Sequence, residues 1–161
     1  MSNKKLFVIK LGSNVLLDDY WINLSVIENT IKAVNYLKSK NINVLLVSSW
    51  AVALGKKYLW ADSIKWLNKI EGWQVFSSLW QPILIKTYSE LFEKYNIKVS
   101  QALLTRSDFS SRERYISMKK VLLTSINQWI IPIINENDVL SQEELDFSDN
   151  DELSALIAAM I

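Results

Sequence analysis

Cysteine and histidine are both absent from the 161 residues. Without cysteine there are no disulfides, no thiolate nucleophile and no Cys-ligated zinc. Without histidine, a His general base and most transition-metal sites are excluded. Chemistry here must rest on Lys, Arg, Asp, Glu, hydroxyls and backbone N–H groups, a set on which phosphoryl transfer can run because it depends mainly on positioning and charge stabilisation. Charge of one sign is also missing: the net charge is +1, which gives no electrostatic footprint for nucleic acid. No apolar run reaches the roughly 18 residues of a membrane span. Met1-Ser2-Asn3-Lys4-Lys5 leads straight into a strand-like segment, without the features of a signal peptide. The expectation is a soluble cytoplasmic protein. Glycine is scarce at three residues while tryptophan, normally rare, reaches seven. Together they come close to the ~11 glycines expected at a usage of about 7%.

Half of the residues are hydrophobic, enough for one domain with a substantial core. Buried strands are predicted at 6–9, 44–47, 99–104 and 130–134. Lys10 to Ser13 reads as the turn after the first. Leu24, Ile27, Ile31, Val34 and Leu37 recur at helical spacing, with Asn23 as N-cap. Further helices are predicted over 51–58, 75–95 and 112–127. Pro82 must kink the second of these or lie in its first turn. Residues 62–72 read as a loop or loose helical stretch, and 145–149 as short and mixed. Asn150 opens a last helix through Leu153, Leu156, Ile157 and Met160. Strands alternating with helices imply α/β architecture, a mainly parallel sheet covered on both faces. The apolar end at 156–161 lacks a cap or polar turn, so it is predicted to be exposed and the sequence to be truncated.

Several candidates for chemistry fall at strand ends, where α/β folds bind ligands. Lys10 can place a point charge on phosphate oxygens, and Gly12 lets backbone N–H groups approach them. A solvated lysine at a strand end is the plainer alternative. Ser48 and Ser49 precede a predicted helix, suited to an anion or serving simply as N-cap. Arg106, Asp108, Arg112, Glu113 and Arg114 form a charge cluster of the kind that is usually a solvated face. Asn135 to Asp138 and Asp149-Asn150-Asp151 place carboxylates and amides at two further ends, able to grip an amino group or help organise Mg²⁺. Turn chemistry alone would also explain them.

The order of these segments is more specific than any one of them. Val8-Ile9-Lys10-Leu11-Gly12-Ser13, Val47-Ser48-Ser49, Leu103-Leu104-Thr105-Arg106-Ser107-Asp108, Ile133-Ile134-Asn135-Glu136-Asn137-Asp138 and Phe147-Ser148-Asp149-Asn150-Asp151 occur in succession. In this the chain resembles the glutamate 5-kinases of the amino acid kinase superfamily, over nearly its whole length. The resemblance implies a three-layer α/β/α sandwich and phosphorylation of the L-glutamate γ-carboxylate by ATP with Mg²⁺, the first step of proline biosynthesis. It further implies that Lys10 steadies the transferring phosphoryl group and, with Gly12, contacts ATP. Ser49, Asp138 and Asn150 would bind glutamate, with Asp149 and Asp151 supporting them. No residue is assigned as a metal ligand. Residues 1–161 would form the substrate-binding part of the kinase domain, with most of the ATP-binding part beyond them, so this segment alone would be inactive. The full-length protein would be a homo-oligomer, with no nucleic-acid partner for this segment. A related kinase acting on another carboxylate or phosphate, or a non-catalytic truncated relative, are the competing expectations.

Tryptophan stands where that family has glycine. Trp50 follows Ser49 in the substrate turn, and Trp60, Trp80 and Trp129 occupy other positions where glycine is usual or common; Trp21 fits a turn glycine. Trp66 and Trp73 have no secure counterpart. The pattern is that of a codon read as glycine by the organism and written as tryptophan. Were the indoles real, Trp50 would block the turn beside the substrate and favour the non-catalytic alternative.

Overall fold

The computed structural model describes residues 5–16, 22–49, 67–140 and 150–161, with the backbone alone at Ser49 and Lys69. Four strands, β1 (Leu6–Gly12), β2 (Asn43–Ser49), β3 (Val99–Leu104) and β4 (Ile131–Glu136), form one parallel sheet in the order β1-β2-β4-β3. The helices are α1 (Ser13–Leu16), α2 (Leu24–Ser39), α3 (Lys69–Glu93), α4 (Arg106–Ser110), α5 (Arg112–Asn127) and α6 (Asn150–Met160). The expected helix over 51–58 and the mixed stretch 145–149 lie outside the described residues.

The pleat sorts the apolar runs into two cores. Leu11, Val44, Leu46, Ile131 and Ile133 pack with Ile27, Ile31 and Val34 of α2 and Leu84, Tyr88 and Phe92 of α3. Their neighbours Leu45, Val47 and Ile134 pack on the other face with Leu122 and Ile126 of α5 and Leu153, Ile157 and Met160 of α6. Buried on both faces, such strands read as continuous apolar runs rather than alternating ones. The result is the three-layer sandwich. The terminal helix is built into it: Leu153 and Ile157 are fully buried, and Lys119 Nζ donates to the Met160 carbonyl. The predicted exposed apolar end is therefore wrong, because a helix that seems unpartnered in sequence closes the second core.

Strand boundaries differ from expectation in one direction. β1 continues to Gly12, and β2 through Ser49, because their ladder persists from Leu6↔Asn43 to Gly12↔Ser49. Lys10 thus belongs to a strand and not to a turn. Asn135 and Glu136 likewise extend β4, with Leu104 pairing to Glu136. Helix α3 begins at Lys69, inside the stretch read as a loop or loose helical segment, and the second alternative holds from there on. There Glu71 N–H donates to Asn68 Oδ1 (2.9 Å) and Asn68 N–H to Glu71 Oε2 (3.0 Å), a reciprocal cap. Pro82 lies well inside α3, so the first-turn alternative is excluded. The Asn23 cap of α2 is as expected, its side chain accepting from Val26 N–H at 3.2 Å.

Three helices end in the same way, with one residue in the left-handed region. Asn41 (φ 59°) follows α2, Asn96 (φ 54°) follows α3, and Trp129 (φ 59°) follows α5. In each case two N–H groups fold back on the last turn, as in Trp129 to the Ile126 carbonyl and Ile130 to the Ser125 carbonyl, both 3.0 Å. Glycine or asparagine suits this position. A residue with a bulky Cβ substituent costs roughly 1–2 kcal/mol there. Lys38 Nζ, 5.8 Å from the Trp129 ring centroid, returns about 0.5–1 kcal/mol at an exposed site. Replacing Trp129 by glycine is expected to raise the melting temperature by about 2 °C, measured by calorimetry, whereas a glycine placed inside α5 at Val121 would lower it.

Candidate functional site

Strand order decides where a ligand can enter. The next described helix after β2 is α3, on one face, while the next after β4 is α6, on the other. Described helices that follow adjacent strands on opposite faces mark a crevice at the carboxyl ends, the usual ligand position in open α/β sheets. Here that crevice lies between Ser48-Ser49 of β2 and Asn135 to Asp138 at and just beyond the end of β4.

Lys10 reaches this edge from β1. Leu6 and Val8 face the second core, so period two places Lys10 on that same side, towards α6. Its Nζ lies 2.6 Å from Asp151 Oδ1, with side-chain exposures of 29% and 67%. A pair so open to water contributes little to stability and can exchange for an incoming anion at small cost. Gly12 has no positive φ; its contribution is space, since a Cβ there would stand 3.6 Å from Lys10 Nζ. The amine therefore lies over bare backbone.

Asn150 binds the crevice together. Its Nδ2 donates to Asn135 Oδ1 (3.2 Å) and more weakly to the Ser48 carbonyl (3.5 Å). Its Oδ1 is buried with no hydrogen-bond partner among the described residues. A buried acceptor left unmade costs free energy, so this oxygen is suited to a ligand donor. Asp138 accepts a hydrogen bond from Ser77 Oγ of α3 at 2.9 Å. Burial raises the Asp138 carboxyl above its ordinary value of 3.8, with the Ser77 hydroxyl and its own backbone N–H acting the other way. Ser48 Oγ and Tyr88 Oη, both fully buried, meet at 3.0 Å and fix the end of β2 against α3.

Of the residues predicted for the site, Lys10, Gly12, Asp138, Asn150 and Asp151 come to this one edge of the sheet. Ser49 brings its backbone there, opposite Gly12. Asp149 and the tryptophans at 21, 50 and 60 lie outside the described residues. Trp80 is in α3 with ordinary helical backbone, partly buried against the first core. The Arg106–Arg114 cluster is structural. Asp108 accepts from Thr105 N–H (2.7 Å) and Oγ1 (2.9 Å) and pairs with Arg114, and Arg106 pairs with Glu152 of α6. Ser77, Gln81 and Tyr88 escaped sequence reading. Their signal was polar residues on the stripe 77, 81, 84, 88 that α3 turns to the core.

The model of the amino acid kinase family matches residues 5–161. The chain belongs to the amino acid kinase family. It is 40% identical over 155 residues to a glutamate 5-kinase of Desulfotalea psychrophila, covering 96% of this chain and 41% of that protein. It is 41% identical over 160 residues to that of Oceanobacillus iheyensis, covering 99% and 42%, and 38% identical over 154 residues to that of Bacteroides thetaiotaomicron, covering 95% and 42%. The chain thus spans about two fifths of the length of these curated relatives. Among solved structures, carbamate kinase from Giardia lamblia bound to AMP-PNP superposes with a TM-score of 0.66 at 14% identity, covering 99% of this chain and 69% of that one. That likeness places the sheet and its layers in the amino acid kinase fold. No helix among the described residues is long and apolar enough to cross a membrane.

Proposed function

We propose that this chain supplies the phosphoryl-acceptor half of a glutamate 5-kinase site, which converts ATP and L-glutamate to ADP and L-glutamyl 5-phosphate at the start of proline biosynthesis. The observation that carries this reading is the buried Oδ1 of Asn150 at the β2–β4 crevice, without a hydrogen-bond partner among the described residues, at the same sheet edge as Asp138 and Lys10. An amide acceptor and a carboxylate suit the substrate's ammonium group, and Ser49 and Asn150 complete its hold. The identity of about 40% to glutamate 5-kinases supports the choice of substrate.

The chemistry asks little of acid–base groups. A γ-carboxylate oxygen is already a nucleophile; it forms its bond to the γ-phosphorus as the bond to the bridging oxygen of ADP breaks. Lys10 over Gly12 balances the charge on the transferring oxygens, leaving Asp151 as it does so. Asp149 and Asp151, which flank Asn150 in the sequence, support the same site. Mg²⁺ bound with the nucleotide neutralises phosphate charge. In this reading the nucleotide-binding part lies outside residues 1–161, and the complete enzyme is a cytoplasmic homo-oligomer.

The test uses the polypeptide as its own organism makes it, with ATP and hydroxylamine to trap the acyl phosphate. Hydroxamate formed from L-glutamate, and not from carbamate or L-aspartate, is the expected result. Turnover of another acceptor would transfer the chain to a related kinase activity. No turnover of any acceptor would favour a non-catalytic relative.

A further inference from the structure

Hydroxyls inside helices ordinarily turn back on their own backbone. Thr30 Oγ1 donates to the Val26 carbonyl (2.9 Å), Ser78 Oγ to Val75 (2.8 Å) and Thr87 Oγ1 to Ile83 (2.8 Å). Ser77, next to Ser78, does otherwise. It is fully buried, and its Oγ crosses from α3 to Asp138 Oδ2 after β4, 61 positions away in sequence. A hydroxyl placed on the core stripe of a helix, where alanine would pack as well, needs such a partner to be tolerated. We propose that Ser77 is a positioning residue for substrate binding, holding the Asp138 carboxylate in one orientation across the β2–β4 crevice.

The assignment rests on the reading of Asp138 as the partner of the substrate ammonium. Asp138 follows a strand and begins a turn, so its own element does not fix its rotamer; α3 does, through this contact. The other charged groups at this edge are Glu136 at the end of β4, Lys10 of β1 and Asp151 of α6, the last two paired to each other. A charge-assisted hydrogen bond from a buried hydroxyl also favours the ionised carboxylate over the neutral acid.

The experiment compares Ser77→Ala and Ser77→Cys with the parent protein. Cysteine keeps the volume but donates weakly. Both variants are expected to raise KM for L-glutamate about 5–10-fold with kcat within about twofold, the size expected for one hydrogen bond to a charged group. Carboxyl carbon NMR of Asp138 in the ligand-free protein is expected to titrate at higher pH in both. An unchanged Asp138 titration would overturn the proposal even if KM moved, since loss of packing alone would leave it in place. Because this readout needs no substrate, it separates failure of the Ser77 assignment from failure of glutamate as the substrate.

The backbone at position 129 carries a separate inference. Of the three left-handed helix ends among the described residues, two hold asparagine and the third holds tryptophan, for which such φ is a genuine outlier. The chain has three glycines and seven tryptophans. We infer that residue 129 of the natural polypeptide is glycine, its codon being read as glycine in the organism and rendered here as tryptophan. Mass spectrometry of the peptide containing Val121 to Ile133 from the native protein decides this. A mass lower by the difference between tryptophan and glycine is the expected result; a mass carrying tryptophan at 129 would overturn it.

Discussion

Replacing Lys10 by methionine is expected to lower the rate of glutamate phosphorylation by on the order of 10²–10³, with KM for glutamate little changed. The argument is one of charge placement. Lys10 is held in β1 by a ladder that runs past it to Gly12, so its amine reaches the sheet edge from a rigid element. Methionine keeps the length and packing of the side chain and removes only the charge. Arginine at the same place should rescue poorly, because its planar fork needs more room than a compact ammonium lying over Gly12. Steady-state kinetics on the native-length enzyme check both. A Lys10→Met variant whose kcat stays within a few-fold of the parent would remove Lys10 from the transfer step.

Replacing Asp138 by asparagine is expected to raise KM for glutamate by about 10–100-fold, the range for losing a hydrogen bond between charged groups. The same change should stabilise the folded protein at neutral pH. The carboxyl of Asp138 is raised above 3.8 in the fold, burial being the largest cause. A group raised in this way favours the fold fully below its unfolded pKa, and that contribution is lost as pH rises through the folded value. At neutral pH the ionised, half-buried carboxylate is therefore a burden that asparagine lifts, while Ser77 can still donate to the amide oxygen. Thermal unfolding should show the variant melting higher than the parent at pH 7, with the difference shrinking as pH falls through the raised folded value and gone below about 4. A variant that melts lower at neutral pH would show that Asp138 is there for stability and not for a ligand.

Much of this was legible in the chain, and the exceptions have physical causes. Strand β3 and helix α5 were read with their observed limits, and helix α2 with its observed N-cap Asn23. Strands β1, β2 and β4 were read short. Polar residues at their carboxyl ends look like turns, yet the parallel ladder holds them extended, and these are the residues that build the crevice. The apolar helix 150–160 looked exposed because its partner surface, Leu45, Val47 and Ile134 with Leu122 and Ile126, is assembled from distant segments. Lys10, Asp138 and Asn150 could be named from their order along the chain. Their supports Ser77 and Tyr88 could not, since a serine and a tyrosine on a core stripe gain meaning only from what lies across from them. At position 129 the resemblance pointed to glycine, while the left-handed backbone angle that calls for it appears only once α5 has been closed.

The most direct test of the assembled site is calorimetric titration of L-glutamate into the natural polypeptide and its Asn150→Ala variant. Asn150 ties β2, β4 and α6 and leaves one buried acceptor for a ligand. The account predicts saturable one-to-one binding, weakened at least tenfold by the substitution, with both proteins equally folded by circular dichroism. Binding of equal strength in the two proteins, or none to the parent, would contradict it.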